Sequence, residues 1–389
     1  MIAVIADDFT GAAELSGLGL QHGLKVEIDS IVIKHSDAEL LIIATDTRSM
    51  SSEEAYQEVK RITNELIKLK VSWIYKKTDS VLRGHVLTEL KAMLDVSGKS
   101  KVILVPSNPA YGREIKNGIY YVNDQPVHLT GFSDDPEFAL ETSNVLEMLG
   151  VLKGLPTFLV SKQKNIIHEG IAVAETSSLN DLDYWAEKVD SDIIPAGASG
   201  FFSSILKARG LNKKEISKSD TVIFGKNFLF ICGSAFSHDR IAVEEARFNG
   251  AKICEMPDDV FYDRPSKEKQ FKKWVDDTIN SFNNTSKVII KINQPIIKKP
   301  GFAKRLRMET AEFVERVIKN VEINELLIDG GATTYAITKQ LNLDKFFPYQ
   351  ELAPGVVRMK VKNNPDLHLT IKPGSYLWPD EIWKFDNSQ

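Results

Sequence analysis

The chain has 389 residues, 43% of them hydrophobic and 26% charged. At roughly 150 residues per domain this length predicts two domains, and the composition excludes a largely disordered chain. Lys and Arg number 49 against 53 Asp and Glu, for a net charge of −4. That balance does not suit a protein that coats nucleic acid or an anionic membrane, and neither is expected as a partner. Two cysteines, Cys232 and Cys254, are too few for a disulfide framework or a cysteine-built zinc site. The first residues, MIAVIADDFTG, have no basic stretch, and runs such as Leu40 to Ala44 fall far short of the roughly 18 residues of a membrane span. A cytoplasmic location is expected.

In chain order, residues 2–6 read as a buried strand, 10–22 as a helix, 24–28 as a strand and 39–44 as another strand. Residues 51–69 form an amphipathic helix, with Ala55, Val59, Ile62, Leu66 and Leu69 at spacings of three and four. A strand at 71–77, a helix near 84–95 and a strand at 101–106 follow. Further apolar runs stand at 156–160, 191–196, 227–233, 287–292 and 326–331. Continuous apolar strands alternating with helices predict parallel sheets covered on both faces. The polar stretch 206–223 sets a domain boundary at about 213. The expectation is two α/β domains, 1–212 and 213–389, each with a mostly parallel or mixed sheet flanked by helices, with the active site in the cleft between them.

Four polar loops follow strands in the first half, and ligands of open α/β sheets bind beyond the carboxyl ends of strands. Asp7-Asp8-Phe9-Thr10-Gly11 can hold a metal, accept hydroxyl hydrogen bonds or supply a general base; a plain helix cap is the alternative. Thr45-Asp46-Thr47-Arg48 and Lys76 to His85 bring cations suited to a carboxylate or phosphate, with Asp79 able to orient a hydroxyl. Pro106 to Arg113 is a Pro- and Gly-rich loop in which Arg113 is an anion contact or the loop merely a connection. The second half offers glycine turns instead. Gly233-Ser234 and Gly330-Gly331-Ala332-Thr333 follow strands and suit a phosphate at a helix N-terminus, while Pro354-Gly355 and Lys372-Pro373-Gly374 add walls or a charge.

Several chemistries are weakened. Gly98-Lys99-Ser100 lacks the first glycine of a phosphate loop, because Met93 stands there. Gly17, Gly19 and Gly23 resemble a dinucleotide fingerprint, the basis of a dehydrogenase reading, but fall inside the predicted helix, where close packing explains them better. HExxH, CxxC and GxSxG patterns are absent.

Taken in order, ADDFTGA (6–12), KKTDSVLRGH (76–85), PSNPAYGREIKNGIYYVN (106–123), PAGASGFFSSIL (195–206), ICGSAFS (231–237), DGGATT (329–334) and APGV (353–356) resemble the four-carbon acid sugar kinases. The resemblance covers nearly the whole chain. It implies a bacterial two-domain kinase of acid-sugar catabolism: an N-terminal domain for erythronate, threonate or a 3-oxo-tetronate, and a C-terminal domain for ATP. Carried over by position, Asp8, Arg48, Lys77, Thr78, Asp79 and Ser80 match substrate-binding positions, and Arg83 belongs to the same motif. Ser234, Gly330, Gly331, Ala332, Thr333 and Gly374 match nucleotide-binding positions.

The residues agree with that implication. Arg48, Lys77 or Arg83 suits the acid's carboxylate, Asp8 and Asp79 suit its hydroxyls, and either aspartate is a candidate to take the terminal hydroxyl's proton. ATP and Mg²⁺ are the expected cofactors, the ion bridging phosphates with few protein ligands. A homodimer is one assembly left open. Two positions depart from the family pattern: Ala332 replaces an acidic residue, and Lys372-Pro373-Gly374-Ser375-Tyr376-Leu377 replaces Lys-Ser-Gly-Asn-Phe-Gly. A sugar-acid-binding protein that no longer transfers phosphate is the alternative those departures raise.

Overall fold

The computed structural model describes residues 1–31, 36–134, 138–164, 167–214, 223–232, 243–244, 247, 250–374, 376 and 378–383. The chain divides into two compact units, Met1–Ile216 and Ser217–Gln389. Both are α/β, as the alternation of apolar runs and helices predicts.

The first unit is built on eight parallel strands: β1 (Ile2–Ala6), β2 (Val26–Asp29), β3 (Leu40–Ala44), β4 (Ile74–Lys77), β5 (Lys101–Val105), β9 (Thr157–Val160), β10 (Gly170–Ala174) and β11 (Ile193–Gly197). Their order is β2-β3-β1-β4-β11-β5-β10-β9. Strands β1, β3, β5 and β10 are apolar along nearly their whole length because helices cover both faces of the sheet. After β1 the chain builds β2 and β3 on one side, then crosses to place β4 on the other. The carboxyl ends of β3, β1 and β4 therefore frame the switch point of the sheet, where a crevice opens.

Helix α1 (Phe9–Gln21) follows β1, and Asp8 caps it by accepting the Gly11 N–H. Its glycines are packing residues: a Cβ on Gly19 would lie 2.6 Å from Leu40 Cδ2 and 2.8 Å from Val26 Cγ2. Helix α2 (Ser52–Lys68) begins at a reciprocal Ser51–Glu54 capping box and buries Ala55, Val59, Ile62 and Leu66. Helix α3 (Val86–Ser97) stops at Gly98, whose φ of +71° ends the turn. Helices α4 (Val145–Leu149), α5 (Leu179–Glu187) and α6 (Ser199–Ala208) complete the unit.

Three short antiparallel strands, β6 (Arg113–Lys116), β7 (Ile119–Val122) and β8 (Gln125–Pro126), form a second, small sheet. They begin at the last residue of the predicted loop 106–113 and run through a stretch to which sequence patterning assigns no strand. A single bridge, Ile115 to Thr176, ties this sheet to the chain just after β10.

The second unit has strands β12 (Phe228–Cys232), β13 (Lys252–Glu255), β14 (Lys287–Lys291), β15 (Glu325–Asp329), β16 (Lys345–Ala353), β17 (Val356–Val361) and β18 (Asn364–Lys372). Their order is β13-β14-β12-β15-β18-β17-β16; the first five run parallel and the last three form an antiparallel meander. The sheet is thus mixed. Cys232 and Cys254 are both free and buried. Among the described residues no helix is long and apolar enough to cross a membrane.

Gly19→Val forces a branched side chain into van der Waals overlap with Leu40 and Val26. It is expected to cost about 1–3 kcal/mol in urea unfolding, and an unchanged midpoint would show that α1 can move off the sheet freely.

Candidate active site

The sequence-predicted residues of the first unit converge at the carboxyl ends of β1, β3 and β4. At their centre is Arg48, in the turn after β3. Its Nη2 lies 2.6 Å from Asp7 Oδ2, its Nη1 3.3 Å from Asp8 Oδ2 and its Nη2 3.5 Å from Asp79 Oδ1. Nε donates to the same Asp7 oxygen at 3.1 Å. One guanidinium thus faces three carboxylates delivered by two strand ends.

Asp79 is also gripped by Arg83, at 2.8 Å from Nε and 2.9 Å from Nη2, and accepts the Arg83 and Val81 backbone N–H groups. Burial pushes the Asp79 carboxyl up, but the Arg83 and Arg48 guanidiniums and these hydrogen bonds more than reverse it, leaving it well below the usual carboxylate range. Asp8 behaves alike. Burial raises it, while Arg48, Lys77, the Thr10 hydroxyl at 2.6 Å and the Gly11 N–H at 2.7 Å hold it down. Both carboxylates are ionised hydrogen-bond acceptors at neutral pH.

Lys76 and Lys77 close β4, and adjacent strand residues point to opposite faces. Lys76 goes to one face, sealed against Glu89 of α3 at 2.6 Å with both side chains buried. Its cation is therefore part of the core, not of the crevice. Lys77 goes to the other face, 3.5 Å from Glu14 of α1 and beside Asp8. Thr78 and Ser107, at the ends of β4 and β5, bury hydroxyls that have no hydrogen-bond partner among the described residues. Ser80 is held through its carbonyl by the Tyr120 hydroxyl of β7 and through its hydroxyl by Arg113 of β6.

Sequence reading passed over Glu14, Asn108 and Ser199. Asn108 Nδ2 donates to Ser199 Oγ at 3.1 Å, and Ser199 Oγ donates to Glu14 Oε1 at 2.6 Å, so this chain of contacts reaches Lys77. The signal was present for Glu14, the one charged residue in the otherwise uncharged α1.

In the second unit, β15 ends at Asp329, and Gly330 turns the chain into the helix Gly331–Gln340 with φ +95°. Only glycine adopts that value without strain. The first intrahelical bond is Thr334 N–H to Gly330 C=O. The N–H groups of Gly331, Ala332 and Thr333 therefore precede the helical ladder, as an anion-binding helix start requires. Gly330 N–H bonds the Lys372 carbonyl at 3.0 Å, which brings the Lys372–Gly374 segment alongside. Gly355 packs there as well, since a Cβ on it would lie 2.9 Å from the Tyr376 ring. Lys372 differs from its sequence-based expectation as a charged wall: its ammonium is fully buried on Asp329 at 2.9 Å. Gly233 and Ser234 lie outside the described residues.

Among the described residues no three His, Cys, Asp or Glu side chains converge as a metal cage.

These two sites define a protein that pairs an acid- and base-lined carboxyl edge with a glycine-turn helix start, as a phosphotransferase does. Residues 2–205 match the sequence model of a sugar-binding N-terminal domain, and residues 242–376 that of a nucleotide-binding C-terminal domain. The chain belongs to the four-carbon acid sugar kinase family. It is 22% identical to a 3-oxo-tetronate kinase of Brucella melitensis over 96% of this chain and 92% of that protein. It is 29% identical to a D-erythronate kinase of Heliobacterium modesticaldum over 38% and 35% of the two chains. A solved Haemophilus influenzae structure shares the fold, with a TM-score of 0.69, 20% identity and 97% coverage of each chain.

Arg48→Ala leaves three buried carboxylates without their shared cation, and is expected to cost about 3–5 kcal/mol at pH 7. Asp8 and Asp79 have folded pKa values below the unfolded value of about 3.9. Their contribution to stability is therefore full above about pH 4 and lost as pH falls further, through their folded values. The deficit of Arg48→Ala in thermal unfolding should shrink between pH 7 and pH 3; an equal deficit at both would show that charge is not what Arg48 contributes.

Proposed function

We propose that this sugar acid kinase uses ATP to phosphorylate the terminal hydroxyl of a four-carbon acid of the erythronate, threonate or 3-oxo-tetronate type. The first unit would hold the acid and the second the nucleotide. The observation that carries this reading is the cluster of Asp8, Arg48, Lys77 and Asp79 at the switch point of the first sheet, with the buried Thr78 hydroxyl at the end of β4 and the Ser107 hydroxyl at the end of β5 on the same carboxyl edge. A polyol asks for such a set: acceptors for its hydroxyl protons and donors for its oxygens.

Phosphoryl transfer asks the protein mainly to align the hydroxyl and to neutralise charge. Asp8 is the better-placed acceptor for the reacting hydroxyl. Each oxygen of both aspartates is engaged, but those of Asp8 take the neutral Gly11 N–H and Thr10 hydroxyl, with Arg48 at 3.3 Å. Those of Asp79 are gripped by the Arg83 guanidinium with Arg48 alongside, which makes Asp79 the holder of those two cations. Because Asp8 is held ionised, it orients the hydroxyl and accepts its proton late, as the bond to phosphorus forms. The N–H groups of Gly331, Ala332 and Thr333 would receive the nucleotide's phosphates, and a backbone cradle of this kind does not require an acidic side chain at position 332. Gly374 would line the same site. Mg²⁺, when bound, supplies neutralisation of the triphosphate.

The test is ADP release with Mg-ATP across the stereoisomers of the three acids. One isomer should be turned over, and Asp8→Asn should lower kcat on it by about 100-fold or more while the helix cap survives, since Asn caps as well as Asp. No turnover on any isomer would reject the substrate class, and full turnover by Asp8→Asn would remove Asp8 from the reaction. Gly330→Ala places a Cβ in a strained region costing about 1–3 kcal/mol. It should raise the KM for ATP about tenfold and leave the affinity for the acid unchanged, measured by calorimetry.

A further inference from the structure

Four cations stand around the carboxyl edge of the first unit: Arg48, Lys77, Arg83 and Arg113. Three of them already face carboxylates. Arg48 has Asp7, Asp8 and Asp79; Lys77 has Glu14; Arg83 has Asp79. Arg113 has none within ion-pair distance among the described residues. Its guanidinium donates to the Ser80 hydroxyl and lies over the Phe132 ring, 5.8 Å from the centroid. Arg83 sits over the same ring at 5.6 Å. Two guanidiniums thus flank one aromatic ring, with Asp79 as the carboxylate that Arg83 holds.

The arrangement is fixed before any ligand arrives. Arg113 opens β6, and its backbone exchanges two hydrogen bonds with Asn108, at 2.9 and 3.2 Å. Tyr120 of β7 pins the carbonyl of Ser80, the same residue whose hydroxyl Arg113 holds. A planar, permanently charged donor fork held by a neutral hydroxyl and a ring face retains free charge for an incoming anion. Arg48, surrounded by three carboxylates, does not.

We propose that Arg113 is the specificity residue that receives the substrate's carboxylate, with Ser80 orienting its guanidinium and Phe132 backing it. This rests on the sugar-acid reading above and names the group that recognises the acid end. The remaining cations balance the protein's own aspartates and glutamate.

The experiment measures kcat/KM for the preferred four-carbon acid and for its uncharged amide, with wild type, Arg113→Gln and Arg113→Lys. Loss of a charge-assisted pair predicts a fall of about 30- to 1000-fold on the acid for Arg113→Gln. The change on the amide should be under about threefold, because that ligand never used the charge. Arg113→Lys should fall between, keeping the charge and losing the fork. If Arg113→Gln melts too low to assay, the lysine variant alone decides, by the same comparison. Equal losses on acid and amide, or a normal rate on the acid, would overturn the assignment and leave the kinase reading standing. A wild type inactive on every four-carbon acid would instead overturn the substrate class, and this assignment with it.

Discussion

The carboxyl edge of the first unit depends on one guanidinium. Three aspartates lie buried within reach of each other at the ends of two neighbouring strands, and like charges at such distances repel strongly in a poorly solvated crevice. Arg48 makes their burial tolerable, because its planar fork faces Asp7, Asp8 and Asp79 together. Its position follows from the topology. The turn after β3 stands beside β1, and β1 stands beside β4, so a side chain leaving β3 reaches both acidic strand ends. Without it, the turn after β1 could not carry two adjacent aspartates, and the Asp8 cap of α1 would compete with its neighbours for solvent.

Much of this fold could be read from the chain. The runs at 2–6, 39–44 and 101–106 are buried on both faces, so their unbroken apolar character announces parallel strands. Helix α2 could be read from its 3.6-residue period and its cap. Strands that break those patterns escaped. β6 to β8 are two to four residues long, interrupted by turns and half exposed, so they carry little alternation. The run Gly170–Ala174 is buried but short and made of small residues. The meander β16–β18 contains Pro348 and many charges, so its strands lack the unbroken apolar run of a buried parallel strand even though they pair through short turns.

The site was legible to the same degree and for related reasons. Every residue expected at the first unit's edge follows a strand, and the parallel sheet does bring Asp8, Arg48 and the Lys77–Arg83 segment together. What residue types alone do not reveal is which charges are already answered. Lys76 and Lys77 look equivalent in sequence, yet strand alternation sends one into a sealed pair with Glu89 and the other toward Asp8. Lys372 likewise looks like a charge available beside the glycine turn and is buried on Asp329. Glu14, Asn108 and Ser199 lie in or beside the motifs, but their contacts with one another and with Lys77 form only when elements distant in sequence pack together.

The small antiparallel sheet has a consequence for how such an enzyme can diversify. Strands β6 to β8 share no ladder with the eight-stranded sheet and meet the rest of the unit through isolated bridges, Ile115 to Thr176 and Ile119 to Asn144, and through the Arg113 and Tyr120 side chains on Ser80. The exposed positions of these strands can change without breaking a main ladder, whereas Ile115 and Tyr120 are buried in the core. The solvent-facing side of this sheet is therefore where length and composition are least constrained, while the three strand ends around Arg48 are fixed by their ladders.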